Sequence, residues 1–134
     1  MIQHVPIQNA AQSWGLVQNY LARSQIHAMG DYSLEQIKLY VLTGQWMLLV
    51  SVDENNKIYG AMTIDFINRP NCRVAFITCT GGKMIINEDA FKQLENICKV
   101  HGATKIECAA RESVARLLEQ FGFNKKYTIL EVSL

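Results

Sequence analysis

Arg73-Val74-Ala75-Phe76-Ile77-Thr78-Cys79-Thr80-Gly81-Gly82-Lys83-Met84-Ile85-Ile86-Asn87-Glu88-Asp89 is the stretch that decides the fold. Its first seven residues have strand composition, rich in β-branched and aromatic side chains. Gly81-Gly82 breaks the run. Asn87 then has the side chain to cap a helix, with Phe91, Leu94, Ile97 and Cys98 on one face and Gly102 to end it. Thr104 to Cys108 reads as a second, short strand. Such a strand–helix–strand unit, Arg73 to Cys108, places its two strands parallel through a right-handed crossover.

Upstream, the period is that of strands. Trp46 to Val52 is one run, Asp53-Glu54-Asn55-Asn56 has turn chemistry, and Ile58 to Ile67 is a second run. Asn68-Arg69-Pro70-Asn71 is another turn. Three successive strands with short turns make an antiparallel meander. Before them lie two helices. Asn9 is a candidate N-cap for the first, which runs to about Arg23 with Trp14, Val17 and Leu21 at helical spacing. Ser33-Leu34-Glu35-Gln36 is a capping box for the second, with Tyr32 placed to staple onto Ile37 and Gly44 to close the helix. Downstream, Ser113 to Phe121 carries Val114, Leu117, Leu118 and Phe121 at i, i+3, i+4 and i+7. Gly122 stops that helix, and Tyr127 to Val132 reads as a last strand. The order is ααβββαβαβ, an α/β chain with a mixed sheet flanked by helices, and residues 1–134 read as one domain.

Composition excludes several classes. Lys plus Arg number 13 and Asp plus Glu 12, a formal charge of +1, so no electrostatic case exists for nucleic acid or an acidic membrane. The longest strictly apolar run, Trp46 to Val50, is far shorter than a membrane span of ~20 residues. Met1 to Ala10 has neither a basic start nor an apolar core, so no signal peptide is expected. The four cysteines form no C-x-x-C pair and the three histidines lie far apart, which predicts no metal site and free, buried or half-buried thiols.

With the glycine-containing loop between strand and helix, this order resembles the GCN5-related N-acetyltransferase (GNAT) fold, and among its members the small GNAT-like proteins of tailed bacteriophages. The residues that carry the resemblance are Gly44 to Val50, Pro70 before a strand ending in Gly81-Gly82, Leu94 to Gly102, Ala110-Arg111, and Gly122-Phe123 leading to Tyr127 to Glu131. The resemblance implies transfer of an acetyl group from acetyl-CoA to an amine. It implies that the pantetheine arm lies against the backbone of Ile77, Thr78 and Cys79. The pyrophosphate would meet backbone N–H groups around Gly81, Gly82 and Lys83 and at the helix start, an ordinary anion site. It also implies host cytoplasm or the virus particle as the place of action.

The sequence departs from an enzyme of that family at two places. The usual Gln/Arg-x-x-Gly-x-Gly/Ala is here Thr80 to Asn87, without the spaced glycines. Glu88 and Asp89 occupy the first helical turn, where they stabilise the helix and repel a pyrophosphate. The tyrosine that many GNAT enzymes place four residues before the Gly of Gly-Phe is Leu118. Tyr127 is the substitute candidate for the acid, or else packing. Glu107, and less so Asp65, are candidate bases or else solvated carboxylates. Arg111 matches an arginine of a phage-type pattern whose Gly and Trp are absent; it could bind a ligand phosphate or a protein carboxylate. Two functions follow: an acetyltransferase with an altered donor site, or a non-catalytic GNAT-like virion, assembly or host-factor-binding protein.

Overall fold

The structure, a computed structural model, describes residues 1–24 and 31–134. Strands β1 (Ile2–Val5), β2 (Met47–Val52), β3 (Ile58–Arg69), β4 (Cys72–Gly82) and β5 (Lys105–Cys108) form one sheet in the order β1-β2-β3-β4-β5. The first three pairings, β1 to β4, are antiparallel, and β4–β5 is parallel. The meander and the parallel unit are therefore as the sequence predicts.

Helices α1 (Ile7–Ser24) and α2 (Leu34–Leu42) cover one face, and α3 (Glu88–Val100) covers the other. On α1, Ala10, Trp14, Val17 and Leu21 recur at steps of three and four, so one stripe meets Leu48, Val50 and Ala61 of the sheet. On the opposite face, Ala90, Phe91, Leu94 and Cys98 of α3 pack on Leu49, Met62, Ile64, Ala75 and Ile77. The capping box of α2 is present in both directions: Ser33 Oγ accepts from Gln36 N at 3.2 Å, and Ser33 N donates to Gln36 Oε1 at 2.8 Å. Gly44, at φ +78°, leads out of α2 in the conformation expected.

Five expectations change. The N-terminal residues form a strand, β1, because β2 is buried on both faces and needs a neighbour on each side. Asn9 is not an N-cap: α1 begins at Ile7, directly after Pro6, whose fixed φ suits the entry to a helix. Gly81-Gly82 does not break the strand. Both residues belong to β4 and pair with Ala61 and Gly60 of β3. Helix α4 (Glu112–Glu119) begins and ends earlier than its apolar pattern suggests and buries no residue; Leu117 is 60% exposed. Finally, Tyr127 to Val132 is not a strand in the structure. It pairs with nothing in the sheet and is exposed throughout. No described helix is long and apolar enough to cross a membrane.

Candidate functional site: the opening between β4 and β5

The two parallel strands part early. Their pairing ends at Ile77↔Cys108, while β4 runs on with β3 to Gly82. Beyond Ile77 the backbone of Thr78, Cys79 and Thr80 therefore has no β5 partner. A bulge marks the place. Thr63 pairs with Cys79 but Ile64 pairs with Ile77, so Thr78 is the extra residue. The Thr78 hydroxyl lies 2.7 Å from that of Thr63 and 3.1 Å from the Thr63 carbonyl, which it caps. The bulge at Thr78 falls where β4 parts from β5, directly after the last pair Ile77↔Cys108. Open α/β sheets offer ligands such a site at the carboxyl ends of parallel strands.

Gly81 and Gly82 are glycines for a packing reason. A Cβ on Gly81 would collide with the Tyr20 carbonyl oxygen at the end of α1, and Gly82, at φ +70°, lies under the Tyr20 ring. The loop that follows is anchored too. Lys83 N donates to Tyr59 O at 3.0 Å, Ser51 Oγ donates to Lys83 O at 2.6 Å, and Met84 is buried. The Lys83 side chain remains exposed beside the opening. At the start of α3, Asn87 Oδ1 accepts from Ala90 N at 2.8 Å, as its sequence position predicts. The Asp89 carboxylate is engaged one turn on by Gln93 Nε2 at 3.1 Å, and Gln93 Oε1 accepts from Ile2 N. Arg111, exposed, is the N-cap residue of α4 and follows β5 by three residues, across the gap from β4.

Asp65, Phe76 and Glu107 form a row across β3, β4 and β5, one residue pair before the last pair of β4 and β5. Glu107 is held by two partners. Arg69 donates to it in bidentate fashion at 2.8 and 3.0 Å, and Lys126 Nζ lies at 3.0 Å. The Arg69 hydrogen bonds, reinforced by Lys126, hold the carboxyl down at about 2. It is ionised at neutral pH and a weak base. Burial pushes the Asp65 carboxyl in the other direction, up from the usual range. Arg69 carried no sequence signal, since its partner is 38 residues away.

Sequence candidates thus divide by place. Ile77, Thr78, Cys79, Gly81, Gly82 and Lys83 lie along one side of the opening, and Arg111 on the other. Glu107 sits just before the gap in an ion-pair cluster. Tyr127 is 63% exposed, with Lys126 Nζ 5.2 Å from its ring centroid. Leu118 is half-buried. All four cysteines are free. Burial raises the Cys98 thiol to about 11 and raises Cys108 as well, so neither is an activated nucleophile. Among the described residues no His/Cys/Asp/Glu group could hold a metal.

The Glu107 cluster predicts a pH effect. A carboxyl whose pKa falls on folding contributes stability that is complete above its unfolded value of 4.5 and is lost as pH drops toward about 2. Thermal melts of the wild type should therefore fall steeply over that acid range. Glu107→Gln should lower stability at neutral pH by about 1–2 kcal/mol, the worth of charge-assisted hydrogen bonds, and flatten the acid limb. A variant melting like the wild type at neutral pH would contradict the role given to these bonds.

No protein-family model matches the sequence, and a search of curated proteins finds no significant relative. Solved structures do match. A predicted acetyltransferase with acetyl-CoA from Clostridium acetobutylicum aligns over 99% of this chain and 95% of its own, with TM-score 0.65 and 16% identity. An aminoglycoside acetyltransferase, HMB0005, from an uncultured soil metagenomic sample covers 100% and 97%, with TM-score 0.69 and 10% identity. A ribosomal-protein-alanine N-acetyltransferase from Brucella melitensis biovar Abortus 2308 covers 100% and 99%, with TM-score 0.66 and 11% identity. The chain has the fold of the GNAT acetyltransferases.

Proposed function

We propose that this chain is an acetyl-CoA-binding, acetyltransferase-like protein of the GNAT superfamily whose donor site is altered. The observation that carries the reading is the parting of β4 and β5 after Ile77 and Cys108, with the bulge at Thr78. An extended amide-containing arm fits along β4 beyond Ile77, where β5 no longer pairs with it, as an added strand would. When bound, acetyl-CoA supplies a thioester carbonyl open to attack by an amine. Asp65 suits the removal of the amine proton through water better than Glu107 does, because burial raises its proton affinity while Arg69 and Lys126 lower that of Glu107. Tyr127 can serve as acid for the leaving thiolate only if the segment carrying it moves to the opening. Lys83 and Arg111 are the cations available to the pyrophosphate.

Glu88 and Asp89 oppose that anion, and Asn87 already takes one of the helix-start amides. They favour a weak donor site and support a second reading, in which a phage-type GNAT-like protein of the virion, of its assembly, or of host-factor binding no longer transfers acetyl groups. The phage connection, with host cytoplasm or particle as its setting, rests on the sequence motifs alone.

Isothermal titration with acetyl-CoA separates the readings. The wild type should bind, more weakly as salt rises, and Glu88→Gln with Asp89→Asn should tighten binding several-fold, since each removed charge is worth about 0.3–1 kcal/mol. Absence of binding by both proteins at millimolar ligand would favour the second reading.

A further inference from the structure

Asp65, Phe76 and Glu107 stand abreast on β3, β4 and β5, and residues paired directly across strands share one face of a sheet. Side chains alternate along a strand, so this is the face that carries Ala61 on β3 and Cys79 on β4. Phe76, and Ile67 next along β3 on the same face, are half-buried yet join neither of the two cores. They make a small apolar floor open to solvent.

The two ends of the floor differ in charge. At the β3 end Asp65 is half-buried. Among the described residues its carboxylate has no hydrogen-bond or ion-pair partner, and neither oxygen is sealed from water. Burial alone moves its pKa, upward. At the β5 end Arg69 reaches over β4 to Glu107, and Lys126 meets the same carboxylate. Two cations thus share one carboxylate. Lys105, exposed and next along β5 on the same face, adds a third cation. The Glu107 side chain is only 16% exposed, against 30% for Arg69 and 51% for Lys126, so water meets the cations. Arg69 spends two of its five N–H donors on Glu107, and Lys126 one of its three. The donors left over can take an anion without breaking the ion pair.

We infer that the acceptor is a primary amine with a carboxylate or phosphate at its far end, seated across β4: the ammonium at Asp65, the carbon chain on Phe76, the anionic group at Arg69 and Lys126. This rests on the acetyltransferase-like reading above and narrows its acceptor. The row spans two strand spacings, about 10 Å. An α-amino acid, whose charges are adjacent, is too short to reach both ends; an ω-amino acid or amino phosphate is long enough.

NMR titrations of the full chain test this, with and without CoA, using 6-aminohexanoate, 5-aminopentyl phosphate, hexylamine and hexanoate as probes. One of the two doubly charged probes should bind about tenfold or more tighter than hexylamine or hexanoate, the worth of a charge-assisted hydrogen bond. It should shift the amides of Asp65, Phe76 and Glu107. Which of the two binds better tells carboxylate from phosphate. Asp65→Asn should weaken that probe and hexylamine but not hexanoate. Lys126→Gln should weaken it and hexanoate but not hexylamine. Hexylamine binding as tightly as both doubly charged probes overturns the inference, as does the absence of any shift at millimolar probe with and without CoA. Acetyl-CoA titration is read separately. Acetyl-CoA binding without binding of these probes refutes this inference and leaves the donor site standing. Probe binding without acetyl-CoA binding refutes the donor site and leaves the amino-anion seat standing.

Discussion

Gly81→Ala is expected to destabilise the protein by about 3 kcal/mol or more, because the new methyl meets backbone and not a side chain that can swing aside. The Tyr20 carbonyl at the end of α1 occupies the space. Relief requires α1 to lift from the sheet or β4 to leave β3, and either movement disturbs the strand that forms one wall of the opening. Melting should drop by roughly 10 °C for a domain of this size. Gly15→Ala is the control. Gly15 lies within α1 with nothing near the position of a Cβ, so alanine there should stabilise by about 0.5–1 kcal/mol. Equal melting of the two variants would show that the close approach of α1 to β4 has no energetic weight.

Trp46→Ala should cost about 3–5 kcal/mol, the usual range for removing a large aromatic from a core. Trp46 is buried, meets Tyr32 edge-on at 4.9 Å and Tyr40 at 4.6 Å between ring centroids, and donates its backbone N–H to Tyr40 O. It joins the end of α2 to the start of β2. Denaturant unfolding measures the loss; Trp46→Phe, which keeps a ring for Tyr32 and Tyr40, should recover most of it. A loss below about 1 kcal/mol for the alanine variant would mean that the aromatic cluster does not hold α2 to the sheet.

What could be read from the sequence follows how local each signal is. The capping box at Ser33–Gln36 and the caps at Asn87 and Gly44 are written within a few residues, and they appear in place. The Asp53 turn is equally local: its Oδ1 accepts from Asn55 N and Lys57 N. Strand β1 is not local. Ile2 to Val5 carries little pattern, and it is a strand because the apolar run after Trp46 requires a second neighbour. The reverse holds at Tyr127 to Val132, where strand propensity is high but the segment pairs with no strand of the sheet. Helix α4 shows the same limit: its apolar period is real, yet Leu117 faces solvent. The donor-side residues Ile77 to Cys79 came from the family resemblance, whereas the bulge that opens the strand there depends on Thr63, fifteen residues before Thr78. The lowered pKa of Glu107 depends on Arg69, 38 residues earlier in the chain and beyond the reach of any local pattern.

Hydrogen–deuterium exchange at single-residue resolution, with and without saturating acetyl-CoA, shows whether the ligand lies along β4 beyond Ile77. Slowed exchange is expected at the amides of β4 beyond Ile77, at Cys79 and Thr80 above all, with the amides near Arg69 and Glu107 unchanged. Unaltered exchange along Thr78 to Thr80 at saturating ligand, or protection confined to another part of the chain, would contradict that placement.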